Sequence, residues 1–241
     1  MNKLLNNKIH SGDHFTDIQN KAFGSASSYI ISFVNPFSYC EVAKEARLID
    51  EVDAYFSDGA LLCILHNLFL QKITRASFDY SSIAEPFLQY VANKNKRIAI
   101  IGATTDENSL AVINLKKQFP NLNVVYQRDG YINNPDETIN ELNLLEPDVV
   151  LVGMGTPYQE RFSIELKHKL IKPAVIITCG GFLTQTSIKP DYYHPLVKKL
   201  GLRWLQRMVL HKHVRDRVLK KYPKFTISYL YKMIGLKFAK K

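Results

Sequence analysis

The sequence lacks most features that would mark a membrane-spanning, secreted or disulfide-rich protein. Its longest apolar stretch, Leu61 to Leu70, is interrupted by His66 and Asn67 and falls well short of the roughly 18 residues that a spanning helix needs. The first twenty residues carry charges and no apolar core, so we expect no secretory signal. The three cysteines stand in apolar contexts without metal-like spacing, which is typical of buried thiols in a reducing cytosol.

Motifs of metal and nucleotide sites are equally scarce. The chain contains no H-E-x-x-H pair, no G-x-G-x-x-G dinucleotide fingerprint and no G-x-x-x-x-G-K-[ST] phosphate loop. Asp50-Glu51-Val52-Asp53 comes near the D-x-D with which some transferases hold a metal-bound nucleotide, but we predict that it lies on a surface turn. We therefore predict no catalytic metal and no cofactor.

Positive charge is scarce in the body of the chain and abundant at its end. Residues 189–241 hold 15 Lys and Arg against 2 Asp and Glu, whereas residues 1–188 hold 17 against 20. With 241 residues and 46% hydrophobic content, the chain can bury a sizeable core. A basic end on a nearly neutral body suggests an anionic partner, which could be a phosphate compound, a nucleic acid or an acidic membrane surface.

Short apolar strands alternate with helical segments over the second half of the body, which predicts a Rossmann-like α/β core with a parallel sheet. The pattern predicts strands over 97–102, 123–126, 148–152 and 174–179, and helices over 107–118, 135–145 and 158–170. An additional N-terminal α/β part is predicted, with strands over 28–35 and 52–56 and helices over 37–48, 60–70 and 83–93. Residues 1–21 are weakly patterned, and we predict a loosely held arm there.

The basic end predicts a helical C-terminal appendage, so we divide the chain into an α/β core over residues 1–190 and an appendage over 191–241. Helices are predicted over 192–200 and 202–222, and beyond them apolar and aromatic residues alternate with lysines. This last segment has the composition of an interfacial helix, with its apolar side in lipid and lysines toward anionic headgroups. Arg207 and Arg217 share one predicted helix, where they either form a solvated basic face or bind a diphosphate or lipid headgroup.

The loop after the strand at 148–152 is the first site candidate. Gly153 and Gly155 follow that strand, and Gln159 and Glu160 stand in the first turn of the next helix. In open α/β sheets ligands bind beyond the carboxyl ends of the strands, where small residues leave room and polar residues provide contacts. Gln159 and Glu160 have a second interpretation, as first-turn partners of the helix dipole.

Other strand ends carry candidates, most of them with a structural alternative. Gly102 and Ala103 precede a helix start that can hold phosphate, or they form an ordinary tight turn. Asp58 either caps the following helix or acts as a general base in a cleft. Asp129-Gly130-Tyr131 is a strand-end turn that is equally well explained as structural or functional, and Asn35 is a further polar residue at a strand end.

Eight stretches together have a specific order along the chain. They are Asn35-Pro36, Ser57-Asp58-Gly59, Arg75-Ala-Ser-Phe-Asp79, Ile100-Ile-Gly-Ala103, Asp129-Gly130-Tyr131, Val152-Gly-Met-Gly-Thr-Pro-Tyr-Gln-Glu160, Cys179-Gly-Gly181 and Gly201-Leu-Arg-Trp-Leu-Gln-Arg207. In this order they resemble the WecG/TagA/CpsF family of bacterial glycosyltransferases, over about residues 30 to 222. The G-x-G-x-P-x-Q-E element and the Asp-Gly turn are specific in combination, although neither would suffice alone.

The resemblance implies a metal-independent, inverting transfer of a sugar, typically N-acetylmannosamine or a relative, from a UDP-sugar donor to a polyprenyl-diphosphate-linked sugar acceptor. It also implies a cytoplasmic protein that is peripheral on the inner face of the cell membrane and binds its anionic surface, and it leaves a homo-oligomer open. Many family members have a Phe-Asp pair after the two-glycine strand end, where this chain has Phe182-Leu183-Thr184-Gln185. The resemblance therefore does not decide the donor sugar.

The resemblance also implies roles for individual residues. Asp58 corresponds to the base that acts on the acceptor hydroxyl. The remaining residues divide into pocket residues at Asn35, Gly59, Arg75, Gly153, Gly155 and Gln159, nucleotide-binding residues at Gly102, Ala103 and Tyr131, and appendage arginines at Arg207 and Arg217 that close over the site.

Two rival functions belong to other classes. A nucleic-acid-binding module would use the basic end, but its cations are mixed with aliphatic and aromatic residues suited to lipid, and no nucleic-acid fold signature is present. We therefore predict no nucleic-acid partner. A non-catalytic nucleotide-sugar sensor would bind a UDP-sugar without turnover.

Overall fold

A computed structural model describes residues 2–189, residue 209 and residues 212–238, and its centre is one seven-stranded sheet. The strands are β1 (Ile9–His10), β2 (Tyr29–Val34), β3 (Ala54–Ser57), β4 (Arg97–Gly102), β5 (Asn123–Arg128), β6 (Val149–Gly153) and β7 (Val175–Thr178). Their order across the sheet is β1-β3-β2-β7-β6-β4-β5, and every neighbouring pair is parallel. The predicted α/β class with a Rossmann-like parallel core is confirmed.

Helices cover both faces of this sheet. Those in the described residues are α1 (Lys3–Asn7), α2 (Phe15–Phe23), α3 (Pro36–Val42), α4 (Ala46–Glu51), α5 (Ala60–Phe69), α6 (Ala84–Asn93), α7 (Thr105–Gln118), α8 (Pro135–Leu145), α9 (Tyr158–Lys169), α10 (Phe182–Ile188) and α11 (Lys212–Phe238). The core of the first face contains residues of α2, α6, α7 and α10. The core of the second face contains residues of α1, α3, α4, α5, α8, α9 and α11.

The central strands are apolar without interruption because both of their faces are covered. On β4, Ile98 and Ile100 enter the core of the first face, whereas Ala99 and Ile101 enter that of the second. All four side chains are fully buried. Since successive strand residues point to opposite faces, a strand with helices on both sides needs apolar residues at every position. The predicted strand over 97–102 agrees with the observed one for this reason.

The prediction of a loosely held arm at residues 1–21 is wrong. Leu5 and Ile9 are fully buried and Phe15 is 5% exposed, and β1 pairs with β3 at the edge of the sheet. The elements here are short, and β1 has only two residues. A two-residue strand shows no periodicity, so its burial follows only from the neighbours that the fold brings to it.

Two further local predictions are corrected. The single helix predicted over 37–48 is interrupted, because α3 ends at Val42 and α4 begins at Ala46. Of the cysteines that were expected to be buried, Cys63 and Cys179 are, whereas Cys40 is exposed on α3.

The last helix, α11, packs on the body. Phe225, Tyr229 and Met233 are spaced four residues apart and are buried in the core of the second face. The ring of Tyr39 on α3 lies 5.5 Å from that of Phe225 and 6.4 Å from that of Tyr229, measured between centroids. The apolar residues predicted to enter lipid thus do not all do so, since these three pack against the protein.

Exposed apolar side chains on α11 lie away from this contact, at Ile227, Tyr231 and Ile234. The helix predicted over 192–200 lies outside the described residues, as do residues 202–208, 210 and 211 of the one predicted over 202–222. Within the described ranges no helix is both long and apolar enough to cross a bilayer.

Candidate active site

The helices that follow the central strands leave the sheet on alternating faces. Helix α3 follows β2 and α9 follows β6, and both lie on the second face. Helix α10 follows β7 and α7 follows β4, and both lie on the first face. Neighbouring strands whose helices diverge in this way leave a crevice beyond their carboxyl ends. The candidate site therefore lies along the ends of β2, β7, β6 and β4, with β3 beside β2.

Asp58 follows β3 directly and stands beside the end of β2. Its backbone N–H donates to the carbonyl oxygen of Val34 at 2.8 Å, and its side chain is 31% exposed. Asn35 comes next after Val34 and caps α3, because its Oδ1 accepts from the N–H groups of Phe37 at 2.9 Å and Ser38 at 3.1 Å. The Nδ2 group of Asn35 is therefore the part of the side chain that is available to donate a hydrogen bond to a substrate.

Arg75 brings a positive charge to Asp58. Its Nη2 lies 3.6 Å from Oδ1 of Asp58 and 2.6 Å from Oδ2 of Asp79. The loop that carries Arg75 is held along the end of β3, since the N–H of Ala76 donates to the carbonyl oxygen of Ser57 at 3.0 Å. Arg75 is thus shared between one carboxylate that is open to the crevice and one that is not.

Asp79 is the buried partner of Arg75. It is 8% exposed, and its Oδ1 accepts from the N–H of Ser81 at 3.0 Å and from its Oγ at 2.6 Å. Burial by itself raises the pKa of Asp79, but the charge of Arg75 and the hydrogen bonds from Ser77, Ser81 and Arg75 outweigh it, and the net pKa is lowered. Asp79 therefore stays ionised at neutral pH.

A second corner of the site forms where β4 and β6 end. Gly102 has φ +147°, and a Cβ there would lie 2.4 Å from the carbonyl oxygen of Gly153, so only glycine permits this approach. Ala103 follows with φ +60°. At the start of α7, Thr104 Oγ1 accepts from the N–H of Glu107 and Glu107 Oε2 accepts from the N–H of Thr104. Because a carboxylate already occupies this helix start, a second anion is disfavoured there.

The turn after β5 lies against this corner. The N–H of Gly130 donates to the carbonyl oxygen of Ala103 at 2.9 Å, and Asp129 Oδ1 accepts from the N–H of Tyr131 at 2.8 Å. Buried Asn108 joins the two strand ends, since its Nδ2 donates to the carbonyl oxygens of Gly102 and Arg128. The Tyr131 side chain is 74% exposed, so its ring is free to contact a ligand.

Open space faces three glycines of the crevice. Gly59, Gly155 and Gly180 have positive φ angles of +122°, +76° and +52°, and a Cβ at any of them would meet nothing within 4 Å. Their glycine identity follows from the backbone conformation, and the space beside them is available to a substrate.

Gln159 connects two of these glycine turns. Its Oε1 accepts from the N–H groups of Gly155 and Gly180, both at 3.2 Å. Its Nε2 donates to Oε1 of Glu160 at 2.9 Å. The side chain is 3% exposed, so the structure places it behind the turns that line the open space.

The Phe-Asp pair that the resemblance leads us to expect after the two-glycine strand end has no counterpart here, and the structure locates the residues found in its place. Leu183 is fully buried and packs beneath Gly153, where an added Cβ would lie 3.2 Å from its Cδ1. Thr184 Oγ1 donates to Oε2 of Glu107 at 3.3 Å. The side chain at position 183 therefore belongs to the core.

A cavity of about 400 Å³ opens beside the turn that follows β6. Its floor is apolar and includes Leu48, Met154 and Phe162, while Tyr158 and Arg161 line its rim. This volume falls in the range of small-molecule sites. Asp58 is not among the residues that line it.

The two appendage arginines cannot be placed in the site. Arg207 lies outside the described residues, and Arg217 falls within α11 but its side chain is outside the described part of the structure. Among the residues that the structure describes, no cluster of three or more His, Cys, Asp or Glu could hold a metal ion.

Comparison with known proteins decides the family. The profile of the glycosyl transferase WecG/TagA/CpsF family matches residues 3–238. The chain belongs to this family. The match to the WecG/TagA/CpsF family includes the N-terminal arm and α11, which lie beyond the stretches that carried the resemblance, so the glycosyltransferase family assignment extends over nearly the whole chain.

Two relatives illustrate the activities within this similarity. A Shigella boydii protein named UDP-Gal:alpha-D-GlcNAc-diphosphoundecaprenol beta-1,4-galactosyltransferase is 36% identical over 233 residues, which cover 95% of this chain and 90% of the relative. An N-acetylglucosaminyldiphosphoundecaprenol N-acetyl-beta-D-mannosaminyltransferase of Bacillus subtilis strain 168 is 27% identical over 205 residues, 83% of this chain and 78% of the relative.

Sequence reasoning did not foresee how two residues organise the site. Asp79 was part of a recognised stretch, but only the structure shows that it holds Arg75. Glu160 was interpreted as a dipole partner or a substrate contact, whereas it is fully buried. The adjacent polar residues Gln159 and Glu160 at a helix start indicated a site in the sequence, but they did not predict that Glu160 is buried.

Proposed function

We propose that this protein transfers a sugar from a UDP-sugar, with inversion, to the terminal sugar of a polyprenyl-diphosphate acceptor, with Asp58 as general base. The observation that carries the proposal is the position of the Asp58 carboxylate. It is partly exposed at a strand end, has Arg75 at 3.6 Å, and lies on the same edge as the open turns at Gly155 and Gly180. At about 4.8 Å per strand, β3 and β6 are about 14 Å apart, which leaves room for two substrates to meet.

The proposed reaction moves one proton and exchanges one bond. Asp58 takes the proton of the acceptor hydroxyl as its oxygen forms a bond to the anomeric carbon of the donor sugar. The attack comes from the side opposite the diphosphate, so the bond between the anomeric carbon and the β-phosphate oxygen breaks with inversion. UDP leaves with the electron pair of that bond.

The departing diphosphate requires positive charge or aligned N–H groups. Because Glu107 occupies the start of α7, we place the diphosphate nearer the turns of Gly155 and Gly180, with the nucleoside toward Ala103 and Tyr131. Arg207 and Arg217 are proposed to neutralise it from the appendage, without a metal ion. Fixed cations in a closed site can lower the barrier by several kcal/mol, since removal of one preorganised donor costs about 2.7–4 kcal/mol.

We propose UDP-galactose as the first donor to test. The Shigella boydii relative, which covers 95% of this chain, is named for UDP-Gal and for a GlcNAc-diphosphoundecaprenol acceptor. UDP-N-acetylmannosamine is the second, because the Bacillus subtilis relative at lower identity is an N-acetylmannosaminyltransferase. Many family members have a Phe-Asp pair where this chain has Phe182-Leu183-Thr184-Gln185, and the missing carboxylate is consistent with a donor other than N-acetylmannosamine.

The decisive experiment measures UDP release by the purified protein with each UDP-sugar and a short-chain GlcNAc-diphospholipid. We expect turnover with one donor, little change on adding EDTA, and loss of about 10²–10⁴-fold in kcat for Asp58→Asn with UDP binding retained, as expected when a general base is removed. Asp50→Asn is the matched control, since Asp50 is exposed on α4. Full activity of Asp58→Asn would remove the base assignment, and UDP-sugar binding without turnover in the wild type would favour a sensor.

We further propose that the protein binds the inner face of the cell membrane peripherally through α5 and α11. These two helices contact each other, and both carry exposed apolar side chains, including Ile64 and Leu68 on α5 and Ile227 and Tyr231 on α11. Exposed Lys224 lies about one helical turn before Ile227 and can meet anionic headgroups. Because α5 begins two residues after Asp58, Ile64 and Leu68 lie about 6 Å and about 12 Å along the helix axis from its first residue.

Sedimentation with vesicles that contain anionic lipid tests this surface. We expect the wild type to bind, and Ile227→Glu with Tyr231→Glu to reduce binding by about tenfold or more, because two apolar side chains are lost from the interface. Leu144→Glu is the control, since Leu144 is 86% exposed on α8. Equal binding of all three proteins would exclude this face as the docking surface.

A further inference from the structure

One buried carboxylate has no part in the chemistry proposed above, although it lies directly behind the turns of the site. Glu160 is fully buried, and its Oε1 accepts hydrogen bonds from Gln159 Nε2 at 2.9 Å, Ser32 Oγ at 2.9 Å and Thr156 Oγ1 at 3.1 Å. Thr178 Oγ1 in turn donates to Ser32 Oγ at 2.9 Å. Residues of β2 and β7 therefore hold the carboxylate in place.

The contacts of Gln159 fix which way its carboxamide points. Two backbone N–H groups, of Gly155 and Gly180, face one end of the group and require an acceptor there. A carboxylate oxygen of Glu160 faces the other end and requires a donor. A flipped amide would place N–H against N–H and oxygen against oxygen, so the arrangement is complementary in one orientation only.

We propose that Glu160 is a positioning residue, which holds the Gln159 carboxamide in this orientation and so joins the turns after β6 and β7 into a single substrate-binding edge. Both turns depend on glycines with positive φ, and glycine backbones lose the most conformational freedom when they are ordered. Hydrogen bonds that order both turns before the substrate arrives reduce the entropy that is lost when the substrate binds. The identity of the substrate that these turns bind rests on the proposed function, whereas the hydrogen bonds that join the turns through Gln159 do not.

The first test compares Glu160→Met with Glu165→Met. Methionine keeps the length of the side chain but offers no strong acceptor to Gln159. Glu165 lies on the same helix but pairs with Arg47 and Lys169 at the surface. We expect Glu160→Met to speed amide exchange at Gly155 and Gly180 by about tenfold, and to raise the KM for the UDP-sugar by a similar factor with a smaller change in kcat.

A second pair of variants asks whether the hydrogen-bond complementarity is the cause. Gln159→Glu sets two carboxyl groups against each other, which can share one proton at low pH but repel when both ionise. The titratable group that faces them from β3 is Tyr55. We expect this variant to lose UDP-sugar affinity as pH rises from 5 to 8, whereas the combined variant Gln159→Glu with Glu160→Gln recovers it, because an amide again faces a carboxylate.

The outcomes separate the inference from the proposed function. Unchanged exchange at Gly155 and Gly180 in Glu160→Met, measured against Gly130 as an internal reference, overturns the positioning role. Failure of the combined variant to exceed Gln159→Glu at pH 8 overturns it as well. Absence of sugar transfer by the wild type refutes the proposed function instead, since the exchange measurement needs no substrate.

Discussion

Asp79→Asn is the most informative single substitution, because Asp79 holds the cation that stands beside the proposed base. In the folded protein Arg75 Nη2 is 2.6 Å from Asp79 and 3.6 Å from Asp58. Asparagine keeps the size of the side chain but removes its charge. Of the two carboxylates only Asp58 then remains to pair with Arg75. We expect the guanidinium to move closer to Asp58 and to form a direct salt bridge with it.

The effect on stability follows from the burial of the pair. The side chain of Asp79 is 11% exposed and that of Arg75 is 25% exposed, and removal of one partner from a buried ion pair costs about 3–5 kcal/mol. Because Arg75 retains access to solvent and to Asp58, we expect the lower end, about 3 kcal/mol at pH 7. The pKa of Asp79 is lowered in the folded state, so its contribution is present above its ordinary pKa of 3.8 and is lost as pH falls below that value.

Activity is expected to fall with stability. A carboxylate engaged directly by a guanidinium is a poorer proton acceptor, so we expect kcat to fall by about tenfold or more, a part of the 10²–10⁴ that general-base catalysis supplies. Urea unfolding at pH 7 and at pH 3.5, together with UDP release at saturating substrate, measures both effects. The stability difference from the wild type should shrink at pH 3.5.

Asp53→Asn is the matched control for this experiment. Asp53 directly precedes β3, so it lies at the amino-terminal end of the strand, away from Asp58 at the carboxyl end. Its carboxylate accepts from the N–H of Ile30 and pairs with Lys167 at 2.8 Å. Its loss should lower stability and leave kcat unchanged. If Asp79→Asn keeps the wild-type kcat, or if Asp53→Asn lowers kcat equally, Arg75 is not the link between Asp79 and the base.

Two other predictions concern the framework of the site. Tyr229→Ala should lower the free energy of unfolding by about 3–5 kcal/mol, measured by urea denaturation, because a fully buried ring that contacts Tyr39 and Phe225 is lost; an unchanged midpoint would show that α11 does not dock in solution. Gly102→Ala should reduce UDP binding by about tenfold or more in calorimetry, since its Cβ would lie 2.4 Å from the carbonyl oxygen of Gly153 and would force the two strand ends apart.

The strands of the second half and their loops could be predicted from sequence. The strand at 97–102 agrees with β4 and the helix at 135–145 with α8. The first contains a short apolar run rich in isoleucine, and the second begins at an Asn-Pro capping pair. Once these strands were taken as parallel, the placement of Asp58 and Gly153 on one edge followed, since parallel strands end on the same side.

The partners of the site residues could not be predicted in this way. The resemblance placed Gln159 in the pocket, and it stays a predicted pocket residue, but its described contacts are with Gly155, Gly180 and Glu160. These contacts join residues of three separate segments. No local pattern encodes them, because a carboxamide between two turns has the same sequence signal as one that faces solvent.

The same limit explains the errors at the two ends of the chain. Leu5 and Ile9 lie in elements too short for a periodic signal, and their burial comes from β3 and its neighbours. Phe225 and Tyr229 were assigned to lipid because the composition of their segment suits an interfacial helix, and composition does not indicate what covers the apolar side.

The sequence alone determined that the core is a parallel α/β sheet with glycines and an aspartate at its strand ends, because backbone propensity and apolar periodicity act over a few neighbouring residues. Only the tertiary structure decided that Arg75 is shared between two carboxylates and that Glu160 lies behind the turns. It also decided that α11 packs on the second face. Those features are contacts between distant segments, whose energies depend on distance and burial, and neither quantity exists until the chain has folded.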